Sequence, residues 1–564
     1  MNHICFNIVN MLFLLIFLYC YLCALILISI GFTINSKFLK LSDGSDFIEN
    51  CLFGIVFISF VSLFLNFFTS LNQYVNSLCL LFVIYFFAQI NFDQLKKTLL
   101  CSLIISLIAY ITFILDNSNR PDAGLYHLPY ISMLNEHKII FGSANLHWRF
   151  GNISILQYFS AIFNNIIFKD NGVLIPLAIL YGTFVSFFLF NTFNKKNPKY
   201  LKVLSFLFLT YIFSAMNRYS GFGNDAPAHM FFFLIIFYFI NEIQHIEKTK
   251  IFNKILYFSL FTFLIKSFFA IVILFPLSLI IYYYKKINFL NRVTWFCSFV
   301  LFIWLLKNII VSSCLIYPLN FTCFDNLEWS TKNAAGRALE SEAWAKDWPN
   351  REDKNQDYES YLSDYGWVKI WLKNHFKVLT KKIFPQIIIV IILLFVFLLN
   401  KNDEIKKFKK NLIFISIMLS LLFSFIWFFK FPLYRFGESF LVSLISLSFI
   451  YIFYHKIRKQ NKFAEKTIIS LTIILCLIVF SKNMIRIKKN FEIKYIDYPW
   501  PKKNSFSYLN EKNNNIPVKN DGIILYYKPY PNQLCHYSKS PCTHVIDLKV
   551  NKKNILNYNI FYKN

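Results

Sequence analysis

Apolar residues run along this chain in long uninterrupted blocks, near residues 8–33, 48–69, 75–91, 98–115, 173–193, 201–216, 226–241, 293–312, 384–400, 411–429, 438–454 and 467–481. A hydrocarbon core takes about 20 residues of α-helix to cross, so each block predicts one crossing. Many are separated by short basic connections: Lys96 and Lys97; Lys195, Lys196 and Lys199; Lys248, Lys250 and Lys254; Lys285, Lys286 and Arg292; Lys401 to Lys410; Lys456 to Lys466. Such connections stay on the cytoplasmic side. By alternation the others lie outside: 70–74, 116–150, 217–225, 313–383, 430–437 and everything after 482. The expectation is an α-helical polytopic membrane protein of about 12–14 membrane helices. Its membrane domain is 1–481, with outer loops at 116–172, 217–225, 313–383 and 430–437.

Two segments break the alternation. Residues 255–284 have basic clusters at both ends, and a single crossing would strand one cluster outside. Two half-helices meeting near Lys266 and Ser267 satisfy both ends, with the irregular backbone covered by protein or lining a cavity. Residues 151–168 carry Asn152, Ser154, Gln157, Asn164 and Asn165. They fit a helix lying on the outer surface better than a span, with a tilted span as the alternative. The tail, 482–564, is polar, contains the strand-like run Gly522 to Tyr527, and reads as a small exported α+β domain.

Composition changes this picture little. A net charge of +28 would suggest a nucleic-acid partner, but the cations sit in short loops between apolar blocks, so none is expected. Met1 to Asn10 holds no Lys or Arg, and the apolar run from Ile8 to Ile34 is too long for a signal core. It reads as a retained first span. Of 12 cysteines, most lie within spans as small hydrophobes. Cys314 with Cys323, and Cys535 with Cys542, lie in outer segments, where disulfides persist, and two local bridges are expected. The chain has no Walker loop, dinucleotide fingerprint or zinc-protease motif.

Candidate chemistry concentrates outside. The stretch 116–152 gathers Asp116, Arg120, Asp122, Tyr126, His127, His147, Trp148 and Arg149; a plain solvated loop seldom holds so many His, Trp and Tyr. A second loop holds Arg218 and Asp225, the latter also placed to cap a helix. A third holds Tyr434, Arg435 and Glu438. Lys266 stands alone in an apolar block and must face a cavity, a partner or an anion, or else snorkel to the interface. Trp329, Trp344 and Trp348 serve as interface anchors or as platforms for sugar rings. A carboxylate able to take a proton from a hydroxyl, beside cations at the membrane boundary, suits glycosyl transfer from a polyprenyl-phosphate sugar.

At these residues the chain resembles the GT-C superfamily of membrane glycosyltransferases, which carry an acidic residue in an early outer loop followed by a juxtamembrane helix and many spans. Asp122, in the run Pro121 to His127, is the carrier. Along most of its length the chain is also similar to a group of bacterial multi-pass envelope proteins linked to surface polysaccharide synthesis. The shared pattern runs through Asp122, Tyr126, His127 and Pro129; Gly142, Asn145, His147, Arg149, Gly151 and Asn152; Gly223, Asn224, Asp225 and Pro227; Lys266 and Ser267; Tyr317 and Pro318; Arg435 and Gly437; and Cys535, Pro541, Cys542 and Thr543. Many GT-C enzymes pair two acids in the first outer loop, whereas Ala123 follows Asp122 here. The first outer loop also comes after several spans. No cofactor is expected, and a divalent metal is not favoured.

The reading is then an inverting glycosyltransferase in a bacterial inner (cytoplasmic) membrane, working on the extracytoplasmic, periplasmic face. It would move a sugar from a polyprenyl phosphate to an envelope glycan or lipid acceptor among membrane lipids. Asp122 would be the general base. Tyr126, His127, His147 and Asp225 would shape the acceptor site, Asp225 also supporting Arg218. Arg149, Lys266, Arg218 and Arg435 would hold the donor phosphate. The alternatives are a polysaccharide polymerase or ligase, a lipid-linked sugar flippase, and an assembly subunit without catalysis.

Overall fold

The computed structural model of the chain describes residues 2–41, 46–114, 121–216, 223–241, 248–284, 286–399, 410–459, 462–492, 515–520, 523–531, 533–547 and 549–563. In chain order the helices are α1 (Asn2–Thr33), α2 (Phe47–Asn66), α3 (Gln73–Phe87), α4 (Phe92–Ala109), α5 (Leu128–Glu136), α6 (Ile155–Ala161), α7 (Ile175–Phe193), α8 (Lys199–Ala215) and α9 (Asp225–Asn241). There follow α10 (Lys248–Ile265), α11 (Leu274–Tyr282), α12 (Arg292–Ser312), α13 (Ala334–Ala345), α14 (Tyr358–Ser363), α15 (Trp367–Leu398), α16 (Asn411–Lys430), α17 (Tyr434–Arg458) and α18 (Lys462–Glu492). Every apolar block of the sequence lies on a helix. Polar residues at the block edges set several starts: Asp46 accepts from the amides of Ile48 and Glu49, and Asn91 and Gln94 form a reciprocal cap on α4.

Among the described residues nine helices are long and apolar enough to cross a membrane: α1, α2, α4, α7, α12, α15, α16, α17 and α18. Three blocks read as spans form shorter helices, α3, α8 and α9, of 15, 17 and 17 residues. At 1.5 Å per residue, about 26 Å for the longer two, they fall short of a straight crossing. They are not short of burial: α9 is buried from Ala226 to Ile240, and α8 from Tyr200 to Phe213. With α7, the two helices α8 and α9 form the centre of the bundle, while α3 is exposed along much of its length. The exposed faces of α12, α15 and α18 carry Trp295, Phe302, Phe395, Leu477 and Ile478, a belt that in water would be an aggregation surface and in lipid is the ordinary outside of a bundle.

Close backbone contact locks α1 onto α2. A Cβ at Gly31 would lie 1.7 Å from the carbonyl oxygen of Asn50, and one at Gly54 would lie 1.9 Å from that of Leu27. Only glycine permits this approach, and one turn further Asn35 donates to Asn50 across the seam at 2.9 Å. Between neighbouring helices Glu49, nearly fully buried, accepts from the Tyr238 hydroxyl at 2.5 Å and from Lys254 at 2.6 Å.

The segment 255–284 is a helix that breaks and returns. α10 ends at Ile265, Lys266 is extended (φ −152°, ψ 118°), and a 3-10 turn, Ser267–Ile273, leads into α11. Its two ends lie side by side: Asn291 donates to Asn253 at 2.9 Å, and the Asn288 amide donates to Thr249 at 3.3 Å. The half-helix pair read from the charges is present, with its apex at Lys266.

One expectation needs correction. The segment 151–168 does not lie on a surface as an amphipathic helix and does not span. It forms the seven-residue α6, every residue of which is buried, packed against α2, α5 and α7. Its polar residues are used internally: Asn164 donates to the Tyr537 hydroxyl, which itself donates to Asn135 of α5, and Asn165 accepts from the amides of Ile167 and Phe168. The tail holds both helix and strand among its described residues. α18 continues through 482 to Glu492, and residues 515–563 form two antiparallel hairpins, β1 (Ile516–Asn520) with β2 (Ile523–Lys528) and β3 (Val550–Ile555) with β4 (Tyr558–Lys563). Isolated hairpins are marginal, and these are fastened to the segment 123–164. Phe141 pairs with the β4 backbone, Ser540 donates twice to Glu136, and the His536 amide donates to the Gly124 carbonyl.

The glycine seam gives a direct test. Gly31→Ala and Gly54→Ala should each cost about 1–3 kcal/mol, because the helix backbones must separate to admit a methyl group. Gly223, with nothing within 4 Å of its Cβ position among the described residues, is the control. Thermal melting of the three variants in detergent should show a lowered midpoint for the first two and little change for Gly223→Ala.

Candidate functional site

Five charged side chains from five separate segments converge where the broken helix reaches its apex. Asp122 stands just before the π-helical turn Ala123–His127, and Arg149 lies in the 3-10 turn Trp148–Asn152. Asp225 opens α9, Lys266 is the break itself, and Arg435 lies in the first turn of α17. They alternate in sign. Arg149 Nη1 is 3.8 Å from Asp122 Oδ1, and Arg435 Nη1 is 3.9 Å from Asp122 Oδ2. Arg435 Nε is 3.6 Å from Asp225 Oδ2, and Lys266 Nζ pairs with Asp225 Oδ1. The ladder Arg149–Asp122–Arg435–Asp225–Lys266 sets three cations against two carboxylates. The outer contacts exceed hydrogen-bond length, and the outer groups are open: the Asp122 and Arg435 side chains are 40% and 56% exposed, against 18% for Lys266.

Local structure makes this meeting possible. Gly142, at φ 63°, turns the chain against the Phe561 carbonyl, where a Cβ would lie 2.1 Å from the oxygen. Gly151 packs on the Tyr317 ring, 2.7 Å from where a Cβ would stand. These contacts hold the 142–152 loop that presents Arg149. Aromatic faces steady the cations: Arg149 lies over Tyr126 at 4.5 Å and Trp148 at 4.9 Å, and Lys266 lies over Phe436 at 3.4 Å.

Behind Tyr126 sit two neutral imidazoles. The His127 ring lies 4.2 Å from the Tyr126 ring and that of His147 lies 6.3 Å from it. His127 Nδ1 accepts from the Gln157 amide at 2.8 Å, and His147 Nδ1 accepts from the Arg149 backbone amide at 3.1 Å, so each ring carries its proton on Nε2. Burial lowers both to about 3; for His147 the adjacent His544, Arg149 and Arg337 add to the effect. Burial also raises the Tyr126 phenol, which stays protonated.

The structure therefore brings together Asp122, Tyr126, His127, His147, Arg149, Asp225, Lys266 and Arg435. Arg218 lies outside the described residues. Asp225 begins a helix, as a capping residue would, but its carboxylate is engaged by Lys266 and Arg435. Lys266 is largely covered and pairs with Asp225. Cys314 is bonded to Cys323 and Cys535 to Cys542; the second bridge closes the loop that packs on Gly124. Among the described residues no cluster of three or more His, Cys, Asp or Glu is placed to hold a metal ion.

Glu438, read in the sequence as part of the third loop, supports the site together with several residues that were not singled out there. Glu438 is buried, accepts from the Tyr211 hydroxyl at 3.0 Å and lies 3.9 Å from His229. His229 in turn donates to the Arg435 carbonyl at 2.8 Å and accepts from Ser439 at 2.6 Å, which fixes the start of α17. His544 lies 5.0 Å from His147 across the junction with the tail. Lys307 is fully buried in α12, 3.8 Å above Trp304, with no hydrogen-bond partner for Nζ among the described residues. Trp304 and Asn308 beside it line a narrow crevice that reaches Ile265 and Ser267. The signal that marks Lys266, one cation inside an apolar run, was also present for Lys307.

Two outcomes follow from the electrostatics. Lys266→Met should destabilise the protein by about 2 kcal/mol by leaving Asp225 half-paired in a largely covered position, and adding Asp225→Asn should restore much of that loss. A double-mutant cycle on denaturation midpoints checks the coupling. In the unfolded chain both imidazoles protonate near 6.5, and in the folded one at about 3. Between those values the unfolded state binds more protons, so stability should fall as pH drops from about 6.5 toward 3, and His127→Gln should flatten that slope.

No curated protein and no solved structure matches the chain. A family model described as Domain of unknown function (DUF8201) matches residues 11–442. That span contains the whole charge ladder and the crevice below Lys266. On this match the chain belongs to the DUF8201 family.

Proposed function

We propose that this protein is a membrane glycosyltransferase that moves a sugar from a polyprenyl-phosphate donor to an envelope glycan or lipid acceptor. The observation that carries the reading is the ladder itself. It places an exposed carboxylate, Asp122, between two guanidiniums at the end of a bundle whose outer surface is apolar. A phosphate at the membrane boundary with its isoprenoid tail in lipid matches that arrangement. The N-termini of α9 and α17 both point at the site, and their dipoles favour a bound anion.

The proposed chemistry uses the ladder by exchange of partners. The donor phosphate takes Arg149, Arg435 and Lys266, and the loose ion pairs to Asp122 open. The Asp122 carboxylate is then free to face the acceptor. It accepts the proton of an acceptor hydroxyl as that oxygen attacks the anomeric carbon from the face opposite the phosphate. The C–O bond to phosphate breaks with inversion, and the polyprenyl phosphate leaves with its charge held by the same cations. The Nε2–H groups of His127 and His147, kept neutral by burial, supply donors without adding charge. Tyr126 and Trp148 offer aromatic faces for a sugar ring.

The side of the membrane is part of the proposal. Basic connections lie at the ends of the helices away from the ladder, which by the positive-inside rule puts the ladder on the extracytoplasmic face of a bacterial inner membrane. The two disulfides lie in segments on the ladder's side, as an oxidising compartment would allow.

The test uses purified protein in nanodiscs with a panel of polyprenyl-phosphate sugars, reading release of free polyprenyl phosphate. Wild type should release it, while Asp122→Asn should lose at least about 100-fold in rate with unchanged melting. Arg149→Lys should mainly raise the donor KM. No release from any donor by folded wild-type protein would sink the transferase reading and favour a polymerase or ligase using diphosphate-linked oligosaccharides.

A further inference from the structure

At the far end of the bundle from the ladder, the connection between α7 and α8 meets the end of α17 and the start of α18 around a cavity of about 470 Å³. That volume is in the range of small-ligand sites. Lys195, Lys199, Lys202 and Arg458 line it against a single carboxylate, Glu465. Lys202 is buried and donates to Glu465 at 3.0 Å, so that carboxylate is already engaged. Tyr200 also lines the cavity. It is 1% exposed, and its hydroxyl has no hydrogen-bond partner among the described residues. A buried hydroxyl left unpaired costs free energy that a ligand oxygen would recover.

We propose that this cavity binds a phosphoryl group, supplied by the headgroup of an anionic phospholipid. Cations from three segments and an unpartnered hydroxyl are the donor set a phosphate takes. The N-terminus of α8, whose first residue is Lys199, adds its dipole. The position favours a lipid source. α17 carries Arg435 in its first turn and Arg458 at its last residue, about 35 Å apart along the axis. If the ladder meets one headgroup layer, the cavity therefore meets the other. A basic pocket between helices at that level is where an anionic headgroup docks while its chains remain in the bilayer. Such a lipid would tie α8, α17 and α18 together at the end opposite the ladder.

The experiment uses the full-length protein in a neutral detergent at low salt. Thermal midpoints and lipid retention by native mass spectrometry are measured with phosphatidylglycerol, with phosphatidylcholine and with inorganic phosphate. Phosphatidylglycerol should raise the midpoint and stay bound, and phosphatidylcholine should do neither. Lys195→Gln with Lys199→Gln should weaken retention by roughly 30-fold, from about 1 kcal/mol per cation removed. Tyr200→Phe should weaken it by a few-fold with no loss of stability in the lipid-free protein, since it removes only the unpaired hydroxyl. Protection by inorganic phosphate alone, lost in the same variants, would keep the phosphoryl site and assign it to a soluble anion. Equal protection by both lipids, or wild-type retention in the Lys195 and Lys199 double variant, would overturn the proposal. None of these residues belongs to the ladder, so the result is independent of the glycosyltransferase reading.

Discussion

The pairing of Lys266 with Asp225 is the constraint on which the site depends. An ammonium in an apolar run is costly to bury, and at Lys266 the chain offsets that cost by bringing a carboxylate to it. Meeting that demand sets the geometry of three elements at once. α10 must stop at Ile265 so that Lys266 can turn out of its helix. α9 must begin at Asp225, level with the break. α17 must begin beside both, because Arg435 shares the Asp225 carboxylate and Phe436 lies under the Lys266 ammonium. The broken helix is therefore the seat of the charge ladder.

The ladder has a tight inner end and a loose outer end, and the difference follows from exposure. Lys266 and Asp225 are largely covered and in direct contact. Asp122, Arg149 and Arg435 are half open and separated by more than hydrogen-bond length. Water screens the outer pairs and weakens them, which leaves their charges available to an incoming anion. Beside this end, His127 and His147 remain neutral at pH 7 because burial disfavours their charged forms, so they add no charge of their own to the ladder.

The tail and the 121–172 segment stabilise each other. Neither the hairpins nor the seven-residue α6 has enough apolar surface to be stable alone. Together they bury Tyr537 among Asn135 and Asn164, and they hold the Phe141 backbone against β4. Packing of His536 on Gly124 carries that support to the turn just after Asp122. At the other end of the bundle the basic residues are not only topological markers: Lys195, Lys199, Lys202 and Arg458 surround a shaped cavity.

Much of the architecture was legible in the order of residues. Length and apolarity alone mark α1, α2 and α15 to α18, because a crossing helix must satisfy its own backbone and expose only apolar side chains to lipid. Basic clusters at both ends of 255–284 required a return, and the isolated Lys266 placed its apex. Other features were decided by tertiary structure. The apolar runs of α8 and α9 say nothing about whether they meet lipid or other helices, since hydrocarbon and protein interior select the same residues; only packing shows them central. Asn135, Asn164 and Asn165 look like surface residues until their partners, some about 400 positions away in the chain, are in place. The meeting of Asp122 with Arg149 and Arg435 was likewise beyond local reading: a charge's partner is set by the path of the chain through space, and sequence spacing carries no record of that path.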